Sequence, residues 1–142
     1  MSHPVALPPT ICLTRRQRLR ARAAAIVAAQ ITSSTPRMNA TLTRLLRHAR
    51  PSTAVETRHA HAAVTTATLR LGGTTACLNR SVAALLYCRG YGHAPTLVIG
   101  IRPGTSQVHA WLEADGHPIA EPFDPRHLYQ PVSLHTPRQE MT

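Results

Sequence analysis

The sequence predicts a small α+β domain, with helices in its first part and an antiparallel sheet in its second. Three observations carry this. Apolar residues recur at helical spacing through the first ninety residues. The stretch PTLVIGI at 95–101 is short and β-branched, as strands are. Ala114-Asp115-Gly116 then reads as a hairpin turn between two further strand-like runs. With 142 residues, the chain is the size of one compact domain.

The elements follow in order. Residues 1–13 hold three prolines and no period, so a flexible arm is expected. Residues 14–32 read as a helix capped by Thr14, with Leu19, Ala23, Ile26, Val27 and Gln30 on one face. SSTP at 33–36 breaks it. A second helix over 38–49 puts Leu42, Leu45 and Leu46 on one face, and a third over 53–71 offers Val55, Ala62, Val64 and Leu69 as core. Gly72-Gly73 ends this helical N-terminal part, residues 14–71. Thr74 or Thr75 is the expected cap of the next helix, about 76–89, whose stripe is Leu78, Val82, Leu85 and Leu86. The strands are expected at 95–101, 107–113 and 117–121. A core of 72–130 and a poorly packed tail of 131–142 complete the expected layout.

Composition bounds the function. The 16 basic residues, all Arg, face 6 acidic ones, for a net charge of +10. Such a surface attracts anionic partners. One Trp, three Tyr and one Phe are few stacking groups, and no nucleic-acid motif occurs, so no nucleic acid is expected. No run is long enough to span a membrane, and no membrane insertion is expected. Cys12, Cys77 and Cys88 are too few and odd in number for a disulfide framework, which suits free thiols in the cytoplasm. His59 and His61, two apart on a helix, point in different directions, and with His93 and His117 are read as surface residues. Neither a metal nor a cofactor is expected.

The chemistry centres on Cys77. It starts a helix, where free N–H groups and the positive end of the macrodipole favour thiolate, the nucleophilic form. Cysteines are more often small buried core residues, and Cys88, three turns further on among core positions, is read that way; Cys12 is incidental. His109 lies within a strand. A three-residue loop at 114–116 would pair 113 with 117, 111 with 119 and 109 with 121, setting Glu121 opposite His109. A carboxylate there would hold the imidazole in one tautomer and stabilise its charged form. Asp124 is the alternative acid, because the chain could fold back after Pro122 and Phe123. Asp115 is assigned to the turn itself. Cys77, His109 and an acid make the nucleophile, base and orienter of covalent acyl transfer, with the Cys77 N–H as one oxyanion donor.

CLNRS (77–81), LVIGIR (97–102), HAWLEADG (109–116) and the carboxylate at 121 resemble the transglutaminase-like leader peptidases of lasso-peptide biosynthesis, with 32 residues between the cysteine and the histidine. The resemblance covers about 72–124 and implies a transglutaminase/papain-like core, with Cys77 as nucleophile and His109 as base. The third residue of that family is commonly Asp, whereas Glu121 stands at the matching position here, so Asp124 stays open. The resemblance implies a cysteine endopeptidase that removes the leader from a ribosomally made precursor peptide. It also implies three partners: the precursor, a separate leader-recognition protein and an ATP-dependent cyclase. A separate recognition protein is implied because 1–71 show no strand pattern of a fused recognition domain. A non-catalytic binding module on the same fold and an amine-accepting transglutaminase are the other two readings. RRQRLRAR (15–22) is either a solvated helix face or an anionic docking face.

Overall fold

The computed structural model describes residues 10–68, 71 and 76–137. Four helices, α1 (Arg15–Ile31), α2 (Thr35–Leu46), α3 (Ala54–Ala67) and α4 (Cys77–Arg89), precede a four-stranded antiparallel sheet. Its strands are β3 (Thr96–Ile101), β4 (Val108–Ala114), β5 (His117–Ile119) and β6 (Gln130–His135), in spatial order β5-β4-β3-β6. A two-residue parallel pair, β1 (Arg50–Pro51) and β2 (His93–Ala94), ties the α2–α3 connection to the segment after α4. This is the α+β arrangement the sequence predicts.

Local chemistry explains the helix starts. Thr14 and Thr53 each accept from the backbone N–H three residues on, while Gln17 and Glu56 reach back to the cap N–H. These are capping boxes. SSTP breaks the first helix as expected, but its last two residues already belong to the next one. Pro36 lies in the first turn of α2, where a missing N–H costs nothing, so α2 can start at Thr35; it ends at Leu46 rather than 49. Leu69, Gly72, Gly73, Thr74 and Thr75 lie outside the described residues, as do 1–9 and 138–142. Within 10–13, Ile11 and Leu13 pack on the core and the Ile11 N–H donates to Thr66 Oγ1 at 3.2 Å, so this part of the expected arm is docked.

The core sits between the helices and one face of the sheet. α4 is its axis: Ser81, Val82, Ala83, Ala84, Leu85, Tyr87 and Cys88 are all buried. Leu97, Ala110 and Leu112 meet it from β3 and β4. α1 packs through Ala21, Ala24, Ala28 and Ile31, so its buried face is not the expected one. Small side chains let α1 approach closely, and the bulkier Leu19 and Ile26 are 68% and 63% exposed. Val55 of α3 is likewise exposed, whereas Thr57, Ala60, Ala63 and Val64 are buried. In α1 tertiary packing selected the small-residue face over the more hydrophobic one, whereas in α3 the expected Val64 is buried and Val55 turns outward.

Two histidines read as surface residues are not. His93 is 6% exposed; its Nδ1 lies 2.7 Å from Ser52 Oγ and its Nε2 lies 3.0 Å from Glu56 Oε2. His61 is partly buried, and burial together with the charge of Arg80 pushes its pKa down to about 4. The tail is also more ordered than expected, because residues 130–135 form β6 along the free edge of β3.

Candidate active site

Cys77 is the first residue of α4. Ala76 stands at the cap position and offers no side-chain acceptor, unlike Thr14 and Thr53 at α1 and α3. Among the described residues no capping side chain answers the N-terminal dipole of α4, which favours negative charge beside it. Ser81, one turn on, hydrogen-bonds through Oγ to the carbonyl of Ala110 at 3.4 Å, and the backbone of Ala110 hydrogen-bonds to the Cys77 sulfur. The start of α4 is thus fastened to β4 next to His109.

β3 and β4 place His109 opposite Gly100 and Trp111 opposite Val98. The His109 ring stacks on Trp111, with centroids 5.9 Å apart, and lies tilted against Tyr129 at 5.2 Å. Gly100 makes room for this arrangement. A Cβ there would lie 3.0 Å from Cη2 and Cζ3 of Trp111 and 3.0 Å from Cβ of Tyr129. Trp111 is fully buried and donates through Nε1 to Glu113 Oε1 at 2.9 Å. The imidazole is bracketed by two aromatic rings, which limits its freedom about χ2.

His109 Nε2 is 2.9 Å from Glu121 Oε2, and both side chains are largely shielded from solvent. The route by which Glu121 arrives differs from the expected one. β4 and β5 pair 112 with 119, 113 with 118 and 114 with 117. The hairpin loop is therefore the two residues Asp115 and Gly116, both with positive φ (53° and 78°), as a type I′ turn requires. Continued regularly, this register would set Pro122 opposite His109 and turn Glu121 to the other face. β5 ends at Ile119, and Ala120 takes a left-handed φ of 58°. That kink brings Glu121 back to the imidazole.

The other acids are occupied elsewhere. Asp124 caps the 3-10 turn Pro125–His127 and forms an ion pair with Arg126, Oδ2 to Nη2 at 2.7 Å. The Arg126 guanidinium holds its carboxyl down at about 2. Asp115, besides forming the turn, accepts from the Ala54 N–H at the start of α3 at 2.7 Å. Cys88 is 1% exposed, and burial pushes its thiol up to about 12. Cys12 is exposed.

The electrostatics of the cluster are coupled. Burial opposes ionisation of Cys77, but hydrogen bonds from His109 and the Ala110 backbone, with the charges of His109 and Arg80, bring its pKa below the ordinary thiol value. The same contact, with the Glu121 carboxylate, raises His109 to about 9 against the effect of burial. Glu121 takes Nε2 of the ring. Both shifts run toward a thiolate beside an imidazolium. That pair can attack an acyl carbon and then deliver a proton to the departing group.

Sequence reasoning missed Tyr129, the steric role of Gly100 and the kink at Ala120. The Asp-Gly pair was the available signal for a two-residue loop and hence for the correct register. Among the described residues, no helix is long and apolar enough to cross a membrane.

A family model described as Transglutaminase-like superfamily matches residues 10–134, from the segment before α1 to the penultimate residue of β6. No curated protein and no solved structure gives a match. The span of that match takes in the helix start, the sheet and the kink that surround His109, and on it the chain belongs to the transglutaminase-like superfamily.

Proposed function

We propose that the protein is a cysteine endopeptidase that removes the leader from a ribosomally made lasso precursor peptide, with Cys77 as nucleophile, His109 as acid and base, and Glu121 as orienter. The contact that supports this reading most is His109 Nε2 to Glu121 Oε2 at 2.9 Å, on an imidazole that also hydrogen-bonds the Cys77 thiol. A partly shielded carboxylate on the imidazole and a helix-start thiol beside that same ring is the arrangement covalent acyl transfer needs. The leader substrate rests on the resemblance of CLNRS, LVIGIR and HAWLEADG to leader peptidases. A separate recognition protein and a cyclase acting on the freed core belong to the same proposal.

In this mechanism the Cys77 thiolate attacks the scissile carbonyl carbon, a C–S bond forms, and the oxygen takes the negative charge. The Cys77 backbone N–H, at the positive end of α4, donates to that oxygen. As the tetrahedral centre collapses, the His109 imidazolium gives its proton to the leaving nitrogen and the C–N bond breaks. The neutral imidazole then takes a proton from water, whose oxygen attacks the thioester. The C–S bond breaks, and the thiolate–imidazolium pair is restored. Glu121 keeps the ring oriented throughout.

Single-turnover cleavage of a precursor peptide in the presence of its recognition protein tests this reading. The parent should release leader and core, while Cys77→Ala should release neither. Equal cleavage by Cys77→Ala would overturn it. The product mass separates hydrolysis, which adds water, from transfer to an added amine. A chain that binds the peptide without turnover would be the binding module.

A further inference from the structure

We infer that the outer face of α1 is a docking seam for an acidic amphipathic helix of another protein. The inference does not depend on the catalytic reading. Leu19, Ala23, Ile26 and Gln30 recur with the alternating four- and three-residue spacing of the inner positions of a coiled coil. All four are exposed. The buried residues Ala21, Ala24, Ala28 and Ile31 occupy the opposite side of the helix, so the fold consumes one face of α1 and leaves the heptad face outward.

Charge names the occupant. Arg15 and Arg22 flank the seam on one side, Arg20 and Val27 on the other. α1 contains five arginines and no acid. In paired helices these flanking positions set partner choice through charge, so the complement is a helix with Glu or Asp at its own flanks. A second copy of this chain would set arginine against arginine. The side chain of Arg20 is already held, donating to the Gly90 carbonyl at 3.2 Å and lying 4.7 Å from the centre of the Tyr91 ring. Beside it, Ala23, Val27, Leu86, Tyr87 and Gly90 line a groove of about 250 Å³ between α1 and α4, which gives one apolar side chain of the partner a place to insert. The ridge carries only three bulky apolar groups, Leu19, Ile26 and Val27, and no aromatic anchor. That is a narrow seam suited to a helix rather than the broad apolar face of a membrane-surface helix.

The probe is a synthetic helical peptide of three heptads with Leu at the inner positions and Glu at the flanks, compared with a twin carrying Lys at the flanks. Both are titrated against the full chain by fluorescence anisotropy. The Glu peptide should bind, more tightly at low salt than at high salt, and the Lys peptide should not. Leu19→Asp with Ile26→Asp should weaken binding by about tenfold or more, because it places charge in an apolar contact. Arg15→Gln with Arg22→Gln should weaken it at low salt and reduce the salt dependence. All four positions are exposed, and an unchanged circular dichroism spectrum and melting temperature verify that the variants fold. Failure of the Glu peptide to bind would overturn the inference, as would binding that survives Leu19→Asp/Ile26→Asp. Seam-dependent dimerisation in sedimentation would assign the face to a second copy. Seam-dependent binding to phosphatidylserine-rich vesicles, with none to the peptide, would assign it to a membrane. Either result would overturn the acidic-helix reading.

Discussion

His109 and Glu121 meet at 2.9 Å even though the strands that carry them toward each other are not in the register that would set them opposite. The left-handed Ala120 absorbs the one-residue difference. The contact therefore rests on one backbone conformation that a side chain adopts at a cost, and on a carboxylate long enough to reach the ring.

Glu121→Gln should leave the fold intact and lower the cleavage rate by about 10²–10⁴-fold, since the amide neither fixes the same tautomer nor stabilises the imidazolium. Asp124→Asn should leave the rate near that of the parent, because Asp124 faces Arg126 and caps the 3-10 turn. Single-turnover rates of the two variants provide the check. If Asp124→Asn were the slower enzyme, the role given to Glu121 would be lost.

The thiolate–imidazolium pair predicts a pH window. His109, ordinarily at 6.5, is raised to about 9, so its proton is more firmly held when folded. Its contribution to stability is complete below pH 6.5 and is lost as pH rises through about 9. Cleavage should fall over that same upper limb, because the leaving nitrogen then lacks its acid. Glu121→Gln should move the limb to lower pH. Cys77, with a depressed pKa, should alkylate with iodoacetamide at neutral pH, far faster than Cys88, whose thiol lies at about 12. Mass spectrometry of the labelled chain reports which sulfur reacted.

Ala120→Gly should raise stability by about 1 kcal/mol or less, visible as a few degrees in melting temperature, because glycine enters the left-handed region without the Cβ penalty. Ala120→Val should do the reverse and slow cleavage by displacing Glu121. The position is exposed, so neither change alters core packing. A Val variant with parental stability and rate would remove Ala120 from the account of the site.

Gly100→Ala should destabilise by about 1–3 kcal/mol, the usual range for overpacking. The new methyl meets Trp111 and Tyr129 at 3.0 Å and must push them against the His109 ring. Trp111 is the single tryptophan, so its emission spectrum should shift along with a loss of cleavage rate. Unchanged emission and rate would show that the aromatic bracket does not position the imidazole.

Much of the fold was legible because it is local. Threonine caps, helical periods, the β-branched run at 96–101 and the Asp-Gly turn all act within a few residues of themselves. Cys77 and His109 could be singled out because helix starts favour thiolates and their spacing resembled a family pattern. The buried face of α1 and the outward turn of Val55 in α3 could not be read. Periodicity identifies apolar stripes, but which stripe is buried depends on how closely a neighbouring helix approaches, and alanine wins that contest over Leu19 and Val55. β6 was hidden because an edge strand needs only one neighbour and carries little pattern of its own.

The sequence by itself determined the helices, the hairpin and the residue types able to do acyl chemistry. Only the tertiary structure decided that Glu121, rather than Asp124, faces His109. It did so through a kink at Ala120, a pocket opened by Gly100 and a rival carboxylate already neutralised by Arg126. The Gly100 space and the Glu121–His109 contact join segments separated in the chain, where the energy of packing outweighs local preference, while the Asp124–Arg126 pair, two residues apart, removes the rival locally.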